Sequence, residues 1–363
     1  MHRGIAFFIF YSEPVLHSIR LGRLISCKHY PIRKELPVSI VAEFARQLHE
    51  KESPDSLPPL EPAVYPGKTT KLFDIQAVIF DIYGTLVHYW KHSFADGDLK
   101  SASLLEAFGK TIDRFAMRDT LLKMNTEHDP ETTLKDLYHG LIALNHQKAI
   151  KKGVLFPEVK IEEVWQVIVL MLRRNGYHKP GNIAGEDSDL AKCLAFFYNF
   201  HALGRGLFPD VVDALQKLKS MNIKLGIVSN AQFYSPLDLT LFIRDQSKDR
   251  YDDYLELFSP DLCVFSFEEG MSKPNQRLFR KLYNALYELH ILPQQTVFVG
   301  NDLAADIQAA QQAGMNAALF TGNKHSTFMH ELCDRVIPDI TFDTWADFPS
   351  LVSFHESGGN GGI

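Results

Sequence analysis

The chain has 363 residues, of which 45% are hydrophobic and 23% charged, so it is long enough to form two compact domains with buried cores. The 38 basic and 44 acidic residues give a net charge of −6 and are scattered, which argues against a nucleic-acid-binding surface. No stretch reaches the roughly 20 apolar residues of a membrane-spanning helix. The four cysteines lie far apart without metal-site spacing, so we expect reduced thiols and a cytoplasmic protein.

The first 72 residues are predicted to form an N-terminal extension with one helix and a proline-rich linker. The apolar block at 5–11 is at the short limit for a signal peptide, and no small-residue cleavage site follows it. Residues 38–51 repeat apolar side chains at helical spacing. The proline-rich stretch 53–67 then indicates an extended tether that leads to the main body of the protein.

Short apolar runs rich in valine and isoleucine follow the extension and alternate with segments of helical periodicity. The runs lie at 77–80, 223–229 and 296–300, and each ends in small or polar residues. Continuous apolar runs of this length are typical of strands buried on both faces of a parallel sheet. Helical patterns at 210–221 and 274–290 lie between them. The alternation predicts an α/β fold with a doubly wound, Rossmann-like parallel sheet.

The strand pattern is absent between Thr85 and about Gly206, where four segments have helical patterns instead. These segments are residues 98–124, 131–151, 158–175 and 187–202. We therefore predict an all-helical cap domain inserted into the α/β core just after its first strand. The predicted division is a core at 73–90 and 206–355, a cap at 91–205, and a glycine-rich disordered tail at 356–363.

Polar side chains follow the predicted strands, at the edge where an open parallel sheet binds ligands. Asp81 ends the first strand, and Tyr83 and Thr85 lie in the turn behind it. Ser229 and Asn230 end the second strand. A carboxylate can act as a nucleophile and form a covalent ester, as in the aspartyl phosphates. A hydroxyl group beside it suits an anionic group of a substrate.

Two further motifs complete the set. Lys273 precedes the helical pattern at 274–290, and the third strand leads into Asp302 and Asp306. An ammonium group balances negative charge, and several carboxylate oxygens suit Mg²⁺, which prefers oxygen ligands and retains water. Each motif alone is common in loops and helix caps, but the four in this order predict one site.

In the order and spacing of these motifs the chain resembles the haloacid dehalogenase-like (HAD) hydrolase superfamily, over about residues 75–345. The helical insert then has the place of a type-1 cap, and the first motif is the variant DxYGTL. The resemblance implies that Asp81 is the nucleophile. The residues to which we give a catalytic role on this basis are Asp81, Tyr83 and Lys273. The residues expected to bind substrate are Thr85, Ser229, Asn230 and Lys273.

The resemblance also implies a metal site at the same edge of the sheet. The expected ligands are Asp81, the backbone carbonyl of Tyr83, Asp302 and Asp306, and the expected metal is Mg²⁺. A small anionic molecule is the expected substrate, with neither nucleic acid nor membrane as a partner. Association into a homo-oligomer is left open.

Tyr83 leaves the choice of reaction open. Phosphatases of the superfamily usually have an aspartate there, which protonates the leaving group, whereas a tyrosine titrates near ~10 and is a poor acid or base at neutral pH. The 2-haloacid dehalogenases of the superfamily usually have tyrosine, and a halide leaving group needs no proton. The pair Asp302 and Asp306, in contrast, resembles the metal-dependent phosphatase branch.

Three hypotheses follow. We favour Mg²⁺-dependent hydrolysis of a small phosphorylated metabolite through an aspartyl phosphate, with His88 or His201 as candidates for the missing acid. The alternative is a metal-independent 2-haloacid dehalogenase that acts through an aspartyl ester, with Arg173 and Arg174 as candidate halide ligands. The third hypothesis is a non-enzymatic binding protein on a hydrolase fold, because fold alone does not fix function.

Overall fold

A computed structural model gives the structure of the chain. It describes residues 39–52, 59–66, 69–89, 97–181, 183–332 and 335–354, without the side chains of 97–101 and 330. The apolar block at 5–11, Cys27, Cys333 and the tail at 356–363 lie outside the described residues, as does part of the proline-rich tether. Within this described part, no helix combines the length and apolar character needed to cross a membrane.

Eight strands form two sheets in the described residues. In chain order they are β1 (Ala77–Phe80), β2 (Val87–Tyr89), β3 (Arg205–Leu207), β4 (Lys224–Ser229), β5 (Cys263–Phe265), β6 (Thr296–Gly300), β7 (Asn316–Phe320) and β8 (Ile340–Phe342). The main sheet has six parallel strands in the order β5-β4-β1-β6-β7-β8. The antiparallel pair β2 and β3 forms a separate ribbon.

The helices fall before and between these strands. They are α1 (Ile40–Glu52), α2 (Gly97–Arg114), α3 (Arg118–Met124), α4 (Pro130–Lys151), α5 (Ile161–Arg174), α6 (Asp187–Leu203), α7 (Val211–Ser220), α8 (Ser235–Gln246), α9 (Ser266–Glu269), α10 (Gln276–Glu288) and α11 (Ala309–Gln312). A π-helical turn, Leu303–Gln308, leads directly into α11. Short 3₁₀ turns are Tyr254–Glu256, Pro260–Leu262, Pro293–Gln295, His330–Leu332 and Phe348–Leu351.

The main sheet is covered on both faces by hydrophobic side chains. All four residues of β1 are buried, and successive side chains of a strand point to opposite faces. Val78 and Phe80 pack into the cluster on one face, whereas Ala77 and Ile79 pack into the cluster on the other. The uninterrupted apolar runs of the sequence follow from this double burial, and the predicted doubly wound α/β fold is confirmed.

Helices α2 to α6 lie between β2 and β3 in the chain and share a third hydrophobic cluster with α1. The helix expected over 98–124 is divided at 115–117, because Ala116 has a left-handed backbone (φ 51°) that ends α2. The Phe44 ring of α1 packs against Phe115 and Phe197. The helical insert is thus present, while the exact domain limits drawn from the sequence stay a prediction.

Candidate functional site

Three adjacent strands of the main sheet bring their carboxyl ends to one place. β1 lies between β4 and β6, so Asp81, which follows β1, is flanked by Ser229 at the end of β4 and Asn301 after β6. Lys273 comes from the turn between α9 and α10. The parallel arrangement therefore brings together residues that lie more than 200 positions apart in the sequence.

Lys273 lies between two carboxylates. Its Nζ donates to Asp81 Oδ1 and to Asp306 Oδ1, each at 2.6 Å, and all three residues are buried. Burial alone would lower the pKa of Lys273, but the carboxylates of Asp306 and Asp81 raise it, so the ammonium form is retained. Burial raises the pKa of Asp306, and the neighbouring carboxylates Asp81 and Asp302 act in the same direction. The lysine is thus the counter-ion of this carboxylate group.

Asp306 also fixes the turn that follows β6. Its Oδ2 accepts hydrogen bonds from the backbone N–H groups of Asn301 and Asp302, each at 3.0 Å. A Cβ atom at Gly300 would overlap the Asp306 side chain, so only glycine lets the carboxylate fold back beneath this turn. Both oxygens of Asp306 already accept bonds from the protein, and the residue is placed to position Lys273 and Asp302.

Asn301 is a residue of the site that the sequence analysis missed. Thr85 Oγ1 donates to Asn301 Oδ1 at 3.0 Å, and Asn301 Nδ2 donates to the carbonyl oxygen of Ser326. Gly84 packs on the same amide with a left-handed backbone (φ 86°), and a Cβ atom there would overlap Asn301 Nδ2. Thr85 therefore faces Asn301 rather than open space, and it holds the first turn against the turn after β6.

A cavity of about 240 Å³ lies over Asp81. Its polar lining is formed by Asp81, Asn230, Lys273, Asn301, Asp302 and Asp306, and its apolar lining by Tyr83, Tyr89, Ala305 and Phe328. Of the residues predicted for the site, Thr85 and Ser229 do not line this cavity. Nothing in the sequence, apart from their aromatic side chains, predicts that Tyr89 and Phe328 line the cavity.

Ser229 is fully buried, and its Oγ has no hydrogen-bond partner within the described part of the chain. A buried hydroxyl group without a partner costs about 1–3 kcal/mol relative to a satisfied one. Two hydrogen bonds join the side chain of its neighbour Asn230 to the backbone of Lys273. The Lys273 N–H donates to Asn230 Oδ1 at 2.6 Å, and Asn230 Nδ2 donates to the Lys273 carbonyl oxygen at 3.4 Å. The end of β4 therefore offers one uncommitted hydroxyl donor beside a fixed amide.

The hydroxyl group of Tyr83 is held by the protein. It shares a hydrogen bond of 2.8 Å with Ser235 Oγ and lies 3.5 Å from Asp238 Oδ2. Arg205 binds Asp238 through two bonds of 2.7 and 3.0 Å, and the Tyr83 ring stacks on Tyr89. Burial, and then the charge of Asp238, raise the pKa of Tyr83 far above its usual range. Tyr83 is therefore a poor acid or base at neutral pH.

The oxygen donors beside Asp81 have the chemistry of a Mg²⁺ site. Asp302 Oδ1 accepts from Ala304 N and Ala305 N, each at 2.8 Å, and these bonds fix the carboxylate in the lining of the cavity. Oxygen donors without nitrogen or sulfur favour a hard cation. In the described residues, no three acidic, histidine or cysteine side chains are already gathered as a complete cage. The oxygen donors are of the type that Mg²⁺ prefers, but they do not by themselves form a complete cage.

The other candidate residues lie outside the lining of the cavity. Arg173 pairs with Asp187 at 2.7 Å. His88 is buried in β2, where burial lowers its pKa to about 4, and His201 lies 3.3 Å from Glu52. None of these side chains touches the cavity, so none is placed to assist a reaction at Asp81.

The chain is similar to known proteins over most of the sheet and the helical insert. The family model for haloacid dehalogenase-like hydrolases matches residues 75–314. A glyceraldehyde 3-phosphate phosphatase of Methanopyrus kandleri is 29% identical over 208 residues, which are 55% of this chain and 83% of the relative. The protein of the same name from Methanothermobacter thermautotrophicus is 34% identical over 168 residues, 44% of this chain and 68% of the relative.

Similar solved structures are also found. A 2-haloacid dehalogenase from Pseudomonas syringae pv. Tomato DC3000 superposes with a TM-score of 0.46 and 20% identity. The superposition covers 76% of this chain and 97% of that one.

Proposed function

Because the chain belongs to the haloacid dehalogenase-like hydrolase family, we propose that it hydrolyses a small phosphorylated metabolite with Asp81 as the nucleophile. The observation that carries this proposal is the buried Asp81 carboxylate, held by Lys273 at the floor of a cavity. The names of the two phosphatase relatives favour a phosphate ester over a haloacid. In this proposal helices α2 to α6 form a type-1 cap, and DIYG at 81–84 is a variant first motif.

The proposed reaction has two steps. An oxygen of Asp81 attacks phosphorus, the bond from phosphorus to the ester oxygen breaks, and the leaving group departs with the electron pair. Water then attacks phosphorus of the aspartyl phosphate, which releases inorganic phosphate and restores the carboxylate. Lys273 and Asn230, which line the cavity, would hold the phosphoryl oxygens, since an ammonium and an amide both donate hydrogen bonds. That Ser229, which does not line the cavity, adds a third donor stays a prediction.

Mg²⁺ completes the proposal. Asp81, the backbone carbonyl of Tyr83 and Asp302 would hold it, and Asp306 would support the site by fixing Lys273 and the Asp302 turn. When bound, the ion would reduce the repulsion between the carboxylate and the anionic phosphate. A cytoplasmic location, predicted from the scattered cysteines, remains part of the proposal.

Hydrolysis of p-nitrophenyl phosphate by the purified chain should require Mg²⁺. With three carboxylates and one lysine, the cavity is too negative to accept a phosphate dianion readily without a cation. Removal of the metal with EDTA should therefore reduce the rate by about 100-fold or more, and excess Mg²⁺ should restore it. A rate that EDTA leaves unchanged would contradict the proposed metal site.

The second candidate is a metal-independent 2-haloacid dehalogenase, and Tyr83 is the observation that favours it. Asp81 would attack the carbon atom that carries the halogen, and halide would leave with the electron pair without needing a proton. Arg173, suggested from the sequence as a halide ligand, does not line the cavity. Release of chloride from 2-chloropropionate in EDTA, without hydrolysis of phosphate esters, would favour this candidate. No feature of the cavity favours a purely binding function.

The rate of phosphate hydrolysis should fall steeply as the pKa of the leaving group rises. The hydroxyl group of Tyr83 is bound to Ser235, and its raised pKa makes it a poor proton donor. We expect phenyl phosphates with good leaving groups to react about 100-fold or more faster than alkyl phosphates. The measurement is kcat across a series of substituted phenyl and alkyl phosphates.

Tyr83→Phe is the matched control for this series, because it removes only the hydroxyl group and keeps the stacked ring. The dependence on leaving-group pKa should be as steep in this variant as in the unchanged chain. If the unchanged chain showed a shallow dependence that Tyr83→Phe made steep, the tyrosine would be the proton donor and the prediction would fail.

A further inference from the structure

The segment 155–160, between α4 and α5, is bonded to the turn that precedes α10. Ser272 N donates to the carbonyl oxygen of Phe156 at 2.8 Å, and Glu158 N donates to that of Gly270 at 3.1 Å. These bonds join the helical region directly to the turn that precedes α10. One connection of the helical region is therefore bonded to a turn that forms the site.

The Glu158 carboxylate lies at the centre of this contact. Its Oε2 accepts from Ser266 Oγ at 2.9 Å, and its Oε1 accepts from Gln232 Nε2 at 3.1 Å. Ser266 is fully buried where β5 ends, and Gln232 lies shortly after β4. Burial raises the pKa of Glu158, whereas the hydrogen bonds from Ser266 and Gln232 lower it. One carboxylate therefore joins the helical region to two strand ends of the sheet.

Ser266 connects Glu158 to the turn that follows β4. Its Oγ accepts from Ala231 N at 2.9 Å, and the carbonyl oxygen of Ala231 lies 3.2 Å from the same hydroxyl. The preceding residue, Asn230, accepts the Lys273 N–H at 2.6 Å through its side chain. Through these bonds, the position of Glu158 is linked to Asn230 and Lys273, two polar residues of the cavity wall.

Gln232 provides a second connection to the same cavity. Its Nε2 donates to the carbonyl oxygen of Val159 at 2.9 Å, and its Oε1 accepts from Ile161 N at 3.0 Å. Its backbone N–H donates to Ser235 Oγ at 3.1 Å, the same hydroxyl group that binds Tyr83. The turn after β4 is thus tied on one side to the helical region and on the other to the apolar wall of the cavity.

We infer that Glu158 is a positioning residue of the site, which fixes the turns of Asn230 and Lys273 through Ser266 and Gln232. This inference rests on the proposed hydrolysis, in which those turns hold the phosphoryl group. Glu158 does not line the cavity and takes no part in bond making. It sets the distance between donors that must contact one phosphoryl group together, and small displacements of such donors weaken binding.

The kinetic test compares Glu158→Ala with Glu163→Ala, an exposed glutamate of α5 nearby. In Glu158→Ala, we expect KM for p-nitrophenyl phosphate and the inhibition constant of inorganic phosphate to rise together by about 10-fold, with kcat changed by less than about 3-fold. Glu158→Gln keeps one acceptor oxygen, so its KM and inhibition constant should lie between those of Glu158→Ala and the unchanged chain. Glu163→Ala should match the unchanged chain.

Amide hydrogen exchange tests the same inference without an activity assay. In Glu158→Ala, amides of 229–232 and 270–275 should exchange faster, while β6 and β7 keep their protection. Ser266→Ala should reproduce the change at 229–232. Unchanged inhibition by phosphate, or exchange that rises equally throughout the chain, would overturn the inference. If the unchanged chain hydrolyses no phosphate ester, the proposed function fails, and exchange at these turns still decides whether Glu158 positions them.

Discussion

Replacement of Asp81 by asparagine is expected to reduce phosphate hydrolysis by about 10⁴-fold or more. An amide oxygen is a poor nucleophile, and no aspartyl phosphate can form on it. The side chain keeps its size, and its oxygen can still accept from Lys273 Nζ, now 2.6 Å from Asp81 Oδ1. The loss should therefore be in kcat, measured with saturating p-nitrophenyl phosphate and Mg²⁺.

The control for this variant must separate chemistry from folding. Asp213→Asn changes the same group on the exposed face of α7, outside the lining of the cavity, and should keep full activity. Asp81→Asn weakens the ion pair with Lys273 but also relieves the repulsion between Asp81 and Asp306, so its free energy of unfolding should be close to that of the unchanged chain. A folded Asp81→Asn protein that retains a tenth of the activity would exclude Asp81 as the nucleophile.

The strand ends of the sheet could be predicted from the sequence for a physical reason. Buried parallel strands are short apolar runs, and their carboxyl ends lie at one edge, so Asp81, Asn230 and Asp302 are expected together once the strands are recognised. The structure places all three around one cavity. The helical insert could be predicted as well, because amphipathic helices repeat apolar residues at a period unlike that of a strand.

The surroundings of Tyr83 could not be predicted in this way. Arg205 and Asp238 lie 33 positions apart, on a strand and a helix, and nothing in the local pattern says that they pair. Their position beside the Tyr83 hydroxyl group, which also binds Ser235, depends on how α8 packs against β3. The sequence raised the question of a tyrosine at this position, and only the tertiary structure shows that its hydroxyl group is bound to other side chains.

Asn301 and Glu158 were missed for a related reason. Asn301 precedes an aspartate of greater chemical interest, and its bond to Thr85 joins residues 216 positions apart. Glu158 lies in a short connection between helices, where a charged residue is normally exposed to solvent. In each case the side chain acts by holding another turn in place, and such roles leave no periodic or motif signal in the sequence.

Replacement of Lys273 by methionine should have the largest effect on stability among the variants of this site. Methionine has similar length and fills the same space, but it leaves the buried carboxylates Asp81 and Asp306 without the ammonium group that contacts both at 2.6 Å. Removal of one partner from a buried charge cluster costs about 3–5 kcal/mol. We expect urea unfolding in the absence of Mg²⁺ to show a loss of this size, with hydrolysis reduced by about 100-fold or more.

Lys281→Met provides the comparison, because Lys281 lies on the exposed side of α10, where its ammonium group pairs with Glu269. Exposed ion pairs contribute about 0–1 kcal/mol, so this variant should unfold close to the unchanged chain. The difference in stability follows from burial, since the two lysines have the same chemistry. Water can solvate the carboxylate that an exposed lysine leaves behind, but it reaches the buried carboxylates of Asp81 and Asp306 poorly. Equal stability of the two variants would mean that Asp81 and Asp306 do not both carry charge in the folded protein, and that Lys273 serves substrate binding alone.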